Sequence, residues 1–172
     1  RRLKSAIPVG EKMLTEIQSI ASFGLDTVGV TVEVNIDTRS FPAFSIVGLP
    51  NKAVKEARER VKTALGNSDI KFPKKRVTIN LAPADIPKEG SCYDLPIAVG
   101  IMSLITGFKI PEKSLFYGEL SLNGQLRHTK GAFLAALWAA ENGFERIFVP
   151  ADSANEAAVV KKLDVYPVEN LK

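Results

Sequence analysis

The sequence predicts a mixed α/β (α+β) domain in which mixed sheets are packed by several helices. Three observations lead to this class. Residues 27–37 alternate between apolar and polar side chains, as a half-buried strand does. Residues 95–105 are apolar on nearly all sides, which predicts a buried helix. From residue 115 onward, short strands alternate with helices at the spacing of β-α-β units, so some strands should pair in parallel.

The first half of the chain predicts three strands, a helix and a fourth strand. The predicted strands cover residues 17–23, 27–37, 44–47 and 77–81. The connections between the first three are too short for crossovers, so we expect a mainly antiparallel sheet there. Asn51 should cap a helix that runs to about residue 65, where Gly66 is a stop signal.

The second half predicts three helices and further strands. Asp94 should cap the helix over residues 95–105, and Ser153 with Glu156 has the spacing of a capping box for a helix over 153–162. Asn123-Gly124 predicts a tight hairpin turn. The remaining predicted elements are a hairpin over 115–120 and 125–127, a helix over 132–142 and strands over 146–149 and 165–168.

Composition sets limits on function. At 172 residues, with 45% hydrophobic and 24% charged residues, the chain resembles an ordinary soluble domain. The net charge of +4 permits an acidic partner without requiring one. Cys92 is the single cysteine and His128 the single histidine, so we expect no disulfide, no metal site and a cytoplasmic location. The longest apolar run is shorter than the roughly 20 residues that span a bilayer, so no membrane partner is expected.

Residues 1–12 show neither helical nor strand periodicity, and Met13 would suit a natural start. We interpret residues 1–12 as a leader or an added segment, and residues 13–172 as the folded domain. The alternative is a genuine basic arm.

A basic cluster lies between residues 52 and 76, where nine of the 23 Lys and Arg residues occur against three acids. Such a patch can bind phosphates, but no aromatic residues for base stacking lie among the basic residues of the helix face. A solvated helix face is the favoured alternative. The nucleic-acid-binding candidates are Lys52, Lys55, Arg58, Lys62, Lys71, Lys74, Lys75 and Arg76.

Cys92 is the strongest candidate for a catalytic nucleophile. It follows Gly90-Ser91 at a junction between loop and helix, where a helix dipole lowers the pKa of a thiol. A nucleophile there would need a base, for which Lys88, Lys130 and His128 are the options, and Ser91 is a competing hydroxyl. The favoured alternative is that Cys92 packs beneath the loop as a small buried side chain.

Nucleotide binding has no support in these residues, because neither a P-loop pattern nor a G-x-G-x-x-G after a strand occurs. We therefore expect no cofactor in this domain.

Several segments resemble known families. Residues 77–107, the Gly118-Glu119 pair and FVPADSANEAA over 148–158 resemble the proteolytic domain of Lon. SIASFGLD, VEVNIDTRSFPAFSIVGLPNKAVKEARERV and PKEGSCYDLPIA make residues 13–172 more similar still to the amino-terminal Lon-like (ChlI-type) domain of the ComM/YifB Mg-chelatase-like AAA+ ATPases. The resemblance implies a Lon-like fold of the ribosomal-protein β-α-β type.

Lon proteases use a serine and a lysine as a catalytic dyad. The resemblance places the serine position at Cys92, by the PKEG run and Thr106-Gly107, and the lysine position at Ala135, counted from Gly118-Glu119. Because alanine has no amine, the dyad cannot form, and both positions are vestigial.

The resemblance thus implies a non-catalytic domain that assembles or regulates a downstream AAA+ motor, or positions DNA for it. That motor would bind ATP and Mg²⁺, form a homo-oligomer (a hexamer) and act in DNA branch migration during natural transformation. The alternatives are a Cys-based hydrolase with a rewired base, and a direct DNA-binding module formed by residues 52–76.

Overall fold

The computed structural model describes residues 13–172, so the prediction made for residues 1–12 lies outside the described residues. The strands are β1 (Met13–Phe23), β2 (Asp26–Asp37), β3 (Ala43–Val47), β4 (Arg76–Ala82), β5 (Ser114–Phe116), β6 (Glu119–Leu120), β7 (Leu126–Arg127), β8 (Arg146–Pro150) and β9 (Asp164–Val168). The helices are α1 (Lys52–Lys55), α2 (Ala57–Asn67), α3 (Asp94–Thr106), α4 (Ala132–Glu141) and α5 (Ala154–Ala157), the last preceded by a 3-10 turn over Ala151–Ser153.

Seven strands form one sheet in the order β3-β4-β2-β1-β5-β8-β9, while β6 and β7 form a separate ribbon. β2 pairs in antiparallel fashion with β1 and β4, and the other four pairings in the sheet are parallel. The predicted mixed α/β class is confirmed. The prediction that the first three strands pair mainly in antiparallel fashion is correct for β1 and β2. It is wrong for β3, because the helical connection through α1 and α2 is long enough to carry the chain to a parallel partner, β4.

One face of the sheet is covered by α2 and α3. Alternate residues of β2, from Val30 to Ile36, are fully buried on this face, as their period-2 pattern predicts. Gly100 of α3 lies directly on them: a Cβ at this position would lie 2.5 Å from Val34 Cγ2 and 3.2 Å from Ile17 Cγ1. The missing side chain therefore allows α3 to approach the sheet closely.

The opposite face is covered partly by α4. Gly29 of β2 is where this helix approaches, since a Cβ there would lie 2.7 Å from Cη2 of Trp138. Successive strand residues point to opposite faces, so Gly29 and its neighbour Val30 contact different helices.

The helix predicted after Asn51 is present but divided. Asn51 is the N-cap as predicted, and its Oδ1 accepts a hydrogen bond from the Val54 N–H at 2.9 Å. The helix is interrupted at Glu56 and continues as α2 past Gly66, so Gly66 is not the stop. The chain leaves the helix after Asn67, and Asp69 adopts a left-handed conformation with φ 62°.

Two predictions in the second half are corrected by tertiary contacts. The strand predicted over 115–120 divides, with β5 joining the large sheet and β6 pairing only with β7. Ser153 forms no capping box, because its buried hydroxyl accepts from the Thr129 N–H at 2.8 Å and Glu156 contacts His128 instead. The helix predicted over 153–162 is shorter in the structure, where α5 ends at Ala157.

No helix within residues 13–172 is long and apolar enough to cross a membrane.

Candidate functional site

The loop between β4 and α3 carries Cys92, and its backbone is fixed to the segment before α1. The Lys88 N–H donates to the Leu49 carbonyl at 3.1 Å, and the Lys88 carbonyl accepts from the Asn51 N–H at 3.0 Å. The Lys88 amine is buried and donates to the Pro83 carbonyl. Desolvation lowers the pKa of Lys88. This lysine, one of the three bases considered for Cys92, is therefore bound within its own loop.

The Cys92 thiol is buried next to two tyrosines. The residue is 7% exposed, and Tyr93 and Tyr117 are near enough to affect the pKa of its thiol. The sulfur also lies 4.0 Å from the Glu89 carbonyl oxygen. Burial raises the pKa of the Cys92 thiol to about 12, so desolvation outweighs the lowering expected from the start of α3. The thiol is consequently protonated at neutral pH, which is what a packing role requires.

Ala135, where the Lon resemblance predicts the lysine position of the dyad, lies in α4. Ala135 is fully buried there, and its N–H donates to the Gly131 carbonyl at 2.9 Å. The Tyr117 hydroxyl donates to the Lys130 carbonyl at 2.8 Å, just before the helix begins. Tyr117 therefore links the surroundings of Cys92 to the start of α4, while the Lys130 side chain itself is exposed.

His128, the third base considered, is a surface residue as predicted. Its side chain is 48% exposed, and its Nε2 lies 2.7 Å from Oε1 of Glu156 in α5. This contact engages the imidazole at the protein surface, whereas the Cys92 thiol is buried.

Ser91, the competing hydroxyl, donates to the carboxylate of Glu119. Glu119 in turn donates its backbone N–H to Oγ1 of Thr129 at 2.9 Å. Nucleophilic serines are normally activated by an imidazole or an amine, so this pairing fits a structural link between the loop and β6 better than catalysis.

Asp94 does not cap α3, because Tyr93 occupies the N-cap position and the Asp94 carboxylate points into the domain. Both of its oxygens bind the guanidinium of Arg60, at 2.7 Å and 3.0 Å, and Oδ2 also accepts from the Leu120 N–H at 3.2 Å. Burial raises the pKa of Asp94 to about 6, and the guanidinium opposes part of that rise. The pair joins α2, α3 and β6.

The basic helix face contains fewer free cations than its sequence suggests. The Arg60 guanidinium forms an ion pair with the buried Asp94 carboxylate, so Arg60 does not belong to the exposed face. Lys52 lies 4.0 Å from Glu56, and its side chain is 93% exposed. Arg58 donates to the Phe44 carbonyl at 3.3 Å, which places it beside the edge strand β3. The candidates whose residues are exposed are Lys52, Lys55, Arg58, Lys62, Lys71, Lys74 and Arg76, while Lys75 is partly buried.

Sequence reasoning missed Tyr117 and the Arg60–Asp94 pair. Tyr117 lies in a segment whose pattern indicated only a strand. Asp94 directly before an apolar helix has the pattern of a cap. The available signal was Asp94 itself, since a carboxylate at the edge of a nearly all-apolar segment needs a cationic partner if it is buried.

Comparisons with known proteins show the family of this chain. The model of the family "Subunit ChlI of Mg-chelatase" matches residues 32–153, which is most of the chain. The chain therefore belongs to the ChlI family of Mg-chelatase-like proteins.

Within that family the chain is similar to two bacterial relatives. It is 41% identical to the competence protein ComM of Haemophilus influenzae over 160 residues, which cover 92% of this chain and 31% of that protein. It is 42% identical to the uncharacterized protein YifB of Escherichia coli over 150 residues, covering 86% of this chain and 29% of that one. The chain thus spans about a third of the length of these relatives and corresponds to their amino-terminal part.

A weaker similarity extends to proteases. The Lon protease of Clostridium beijerinckii is 26% identical over 117 residues, which cover 65% of this chain and 15% of the protease. The Lon-like resemblance noted from the sequence is supported by this match.

Proposed function

We propose that this chain is a non-catalytic Lon-like domain that serves an ATP-driven motor in the same polypeptide. It would help to assemble the motor, regulate it or position its DNA substrate. The relatives are about three times as long as the matched segment, since it covers 31% of the Haemophilus influenzae protein. The motor would occupy the remainder of that length.

The observation that carries the proposal is the state of the two dyad positions. Cys92 is buried with its pKa raised to about 12, and Ala135 is a buried residue without an amine. Covalent catalysis needs a nucleophile that is both accessible and deprotonated by a neighbouring base. A domain that keeps the Lon-like arrangement without those groups fits a role in assembly and recognition.

The proposal extends to partners and cofactors. The downstream module would be an AAA+ ATPase that binds ATP and Mg²⁺, assembles as a hexamer and acts on DNA in the cytoplasm. The word "competence" in the name of the Haemophilus influenzae relative supports a DNA substrate.

A first experiment tests catalysis with the 172-residue chain. Cleavage of an unfolded protein substrate is measured for the wild type and for Cys92→Ala and Ser91→Ala. We expect the same background for all three. Cleavage by the wild type that Cys92→Ala abolishes would overturn the proposal in favour of a Cys-based hydrolase.

A second experiment tests assembly and regulation. The Haemophilus influenzae relative is prepared with and without the segment that matches this chain, and the oligomeric state and the rate of ATP hydrolysis with and without added DNA are compared for the two proteins. We expect removal of the segment to change oligomer formation or the response of ATP hydrolysis to DNA. Identical behaviour of the two proteins in both measurements would overturn the proposed role.

A further inference from the structure

An exposed aromatic side chain lies beside the basic cluster at one end of the sheet. The residue is Phe41, in the loop between β2 and β3, and it is 88% exposed. We call this region the Phe41 surface; its members are Arg39, Phe41, Arg58, Lys71, Lys74, Lys75 and Arg76.

Strand pairing and hydrogen bonds bring these residues together. Arg76 begins β4 and pairs with Asp37, the last residue of β2, and with Ala43, the first of β3. The loop that contains Phe41 connects these two partners. The Lys75 amine donates to the Thr38 carbonyl in that loop at 3.1 Å.

Two further contacts attach α2 and the segment after it to the same end of the sheet. The Arg58 guanidinium donates to the Phe44 carbonyl at 3.3 Å. The Phe44 and Phe72 rings pack with their centroids 4.9 Å apart, which brings Lys71 and Lys74 near β3. The cluster that is spread along the sequence is thus gathered around one loop.

The Phe41 surface carries excess positive charge. Among residues 13–172, none of its six cations takes part in an ion pair. Asp37 is one neighbouring acid, and its carboxylate accepts hydrogen bonds from the Arg39 N–H and the Ser40 hydroxyl. Cations without carboxylate partners are available to phosphates.

Phe41 differs from the other aromatic residues nearby. Phe44 and Phe72 are partly buried against the core, whereas Phe41 exposes nearly all of its ring to solvent. Exposed aromatic rings beside a basic groove are the stacking platforms of proteins that bind single strands. A duplex hides the faces of its bases, so a stacking ring favours single-stranded over double-stranded partners.

We propose that the Phe41 surface binds single-stranded nucleic acid, with Phe41 stacked on a base and the surrounding cations on phosphates. This inference rests on the part of the proposed function that gives DNA as the substrate. It adds the form of the nucleic acid and the residues that contact it, including Phe41 and Arg39.

The test is fluorescence anisotropy of a labelled oligothymidine strand and a labelled duplex, titrated with the 172-residue chain at several salt concentrations. We expect tighter binding to the single strand. Phe41→Ala should weaken that binding about 5- to 100-fold without changing its salt dependence, because stacking is lost but no phosphate contact is. Lys74→Gln and Arg76→Gln should each reduce the slope of log K against log salt by about 0.7.

Matched controls lie elsewhere on the surface. Phe133→Ala removes another exposed ring, on α4, and Lys161→Gln removes an exposed cation after α5. Both variants should bind the strand as the wild type does. Circular dichroism of every variant establishes that the fold is retained.

Four results would each overturn the inference: no binding of the single strand at low salt, tighter binding of the duplex than of the strand, equal loss in the Phe133→Ala control, or affinity that is independent of Phe41. These outcomes are separate from those of the proposed function. Cys92-dependent cleavage would overturn the non-catalytic role without altering strand binding, and failed strand binding would leave the assembly experiment unaffected.

Discussion

The guanidinium of Arg60 holds the buried carboxylate of Asp94 through two hydrogen bonds, from Nε to Oδ2 at 2.7 Å and from Nη2 to Oδ1 at 3.0 Å. The Arg60 side chain is 21% exposed and that of Asp94 is fully buried. The same guanidinium donates to the Ala53 carbonyl at 3.0 Å, and Asp94 accepts from the Leu120 N–H. One ion pair therefore joins α1, α2, α3 and β6 next to the Cys92 loop.

Replacing Arg60 with Ala should destabilise the domain by about 3–5 kcal/mol, because it leaves the Asp94 carboxylate buried without its cation. Urea unfolding followed by circular dichroism measures the change. Lys113→Ala is the matched control, since its pair with Glu145 has side chains 60% and 51% exposed. That variant should lose less than about 1 kcal/mol. Equal losses in the two variants would contradict the buried role of Arg60.

The Cys92 thiol should react slowly in the folded protein. With the pKa raised to about 12, its thiolate fraction at pH 8 is about a thousandfold below that of a free cysteine. The alkylation rate at pH 8 should be lower in native buffer than in urea by at least about that factor, and measurements from pH 6 to 11 should show the difference narrowing above pH 9. Cys92→Ser, which should not react, is the control. A native reaction that titrates below pH 8 would show an activated thiolate instead.

The same pKa predicts how stability depends on pH. The thiol titrates at about 12 in the folded protein and near its ordinary value of 9.0 when unfolded. The stabilisation from the protonated thiol is therefore complete below the unfolded value and is lost as pH rises through the folded one. Comparing the unfolding free energies of the wild type and Cys92→Ala from pH 7 to 11 measures this difference. It should shrink above pH 9, and a constant difference would contradict the assignment.

Gly100→Ala should destabilise the domain by about 1–3 kcal/mol, because the added Cβ would meet Val34 Cγ2 at 2.5 Å beneath α3. Gly66→Ala is the matched control within a helix, since nothing lies within 4 Å of a Cβ there. That change should stabilise the domain by about 0.5–1 kcal/mol through helix propensity. Thermal unfolding measures the stability change of each variant, and the two changes should have opposite signs.

Ala135→Lys introduces an amine at the position that the Lon resemblance assigns to the dyad lysine, but places it in the core. We expect a loss of about 3–5 kcal/mol, since Ala135 is fully buried and an unpaired ammonium must be desolvated there. Leu137→Lys, on the same helix at a residue that is 37% exposed, should change stability by less than about 1 kcal/mol. Similar unfolding midpoints for the two variants would show that the Ala135 position opens to water.

Much of the fold followed from local patterns. Alternation in β2 and the apolar run of α3 predicted both elements and their burial, because periodicity reports directly which face of an element meets the core. Asn51 was predicted correctly as a cap since its hydrogen bond closes within a few residues. The errors arose where long-range contacts competed with local ones. Asp94 and Ser153 both look like caps, yet each is drawn to partners elsewhere in the chain, Arg60 and Thr129.

The sequence by itself determined the class of fold and the family, because periodicity, motif spacing and residue identity are all properties of the chain in one dimension. The tertiary structure decided which strands pair and which side chains contact one another. It placed β3 beside β4, buried the Cys92 thiol next to Tyr93 and Tyr117, and brought Phe41 to the basic cluster. These relationships depend on which distant segments pack together, and the free energy of that packing belongs to the whole core and not to any one segment.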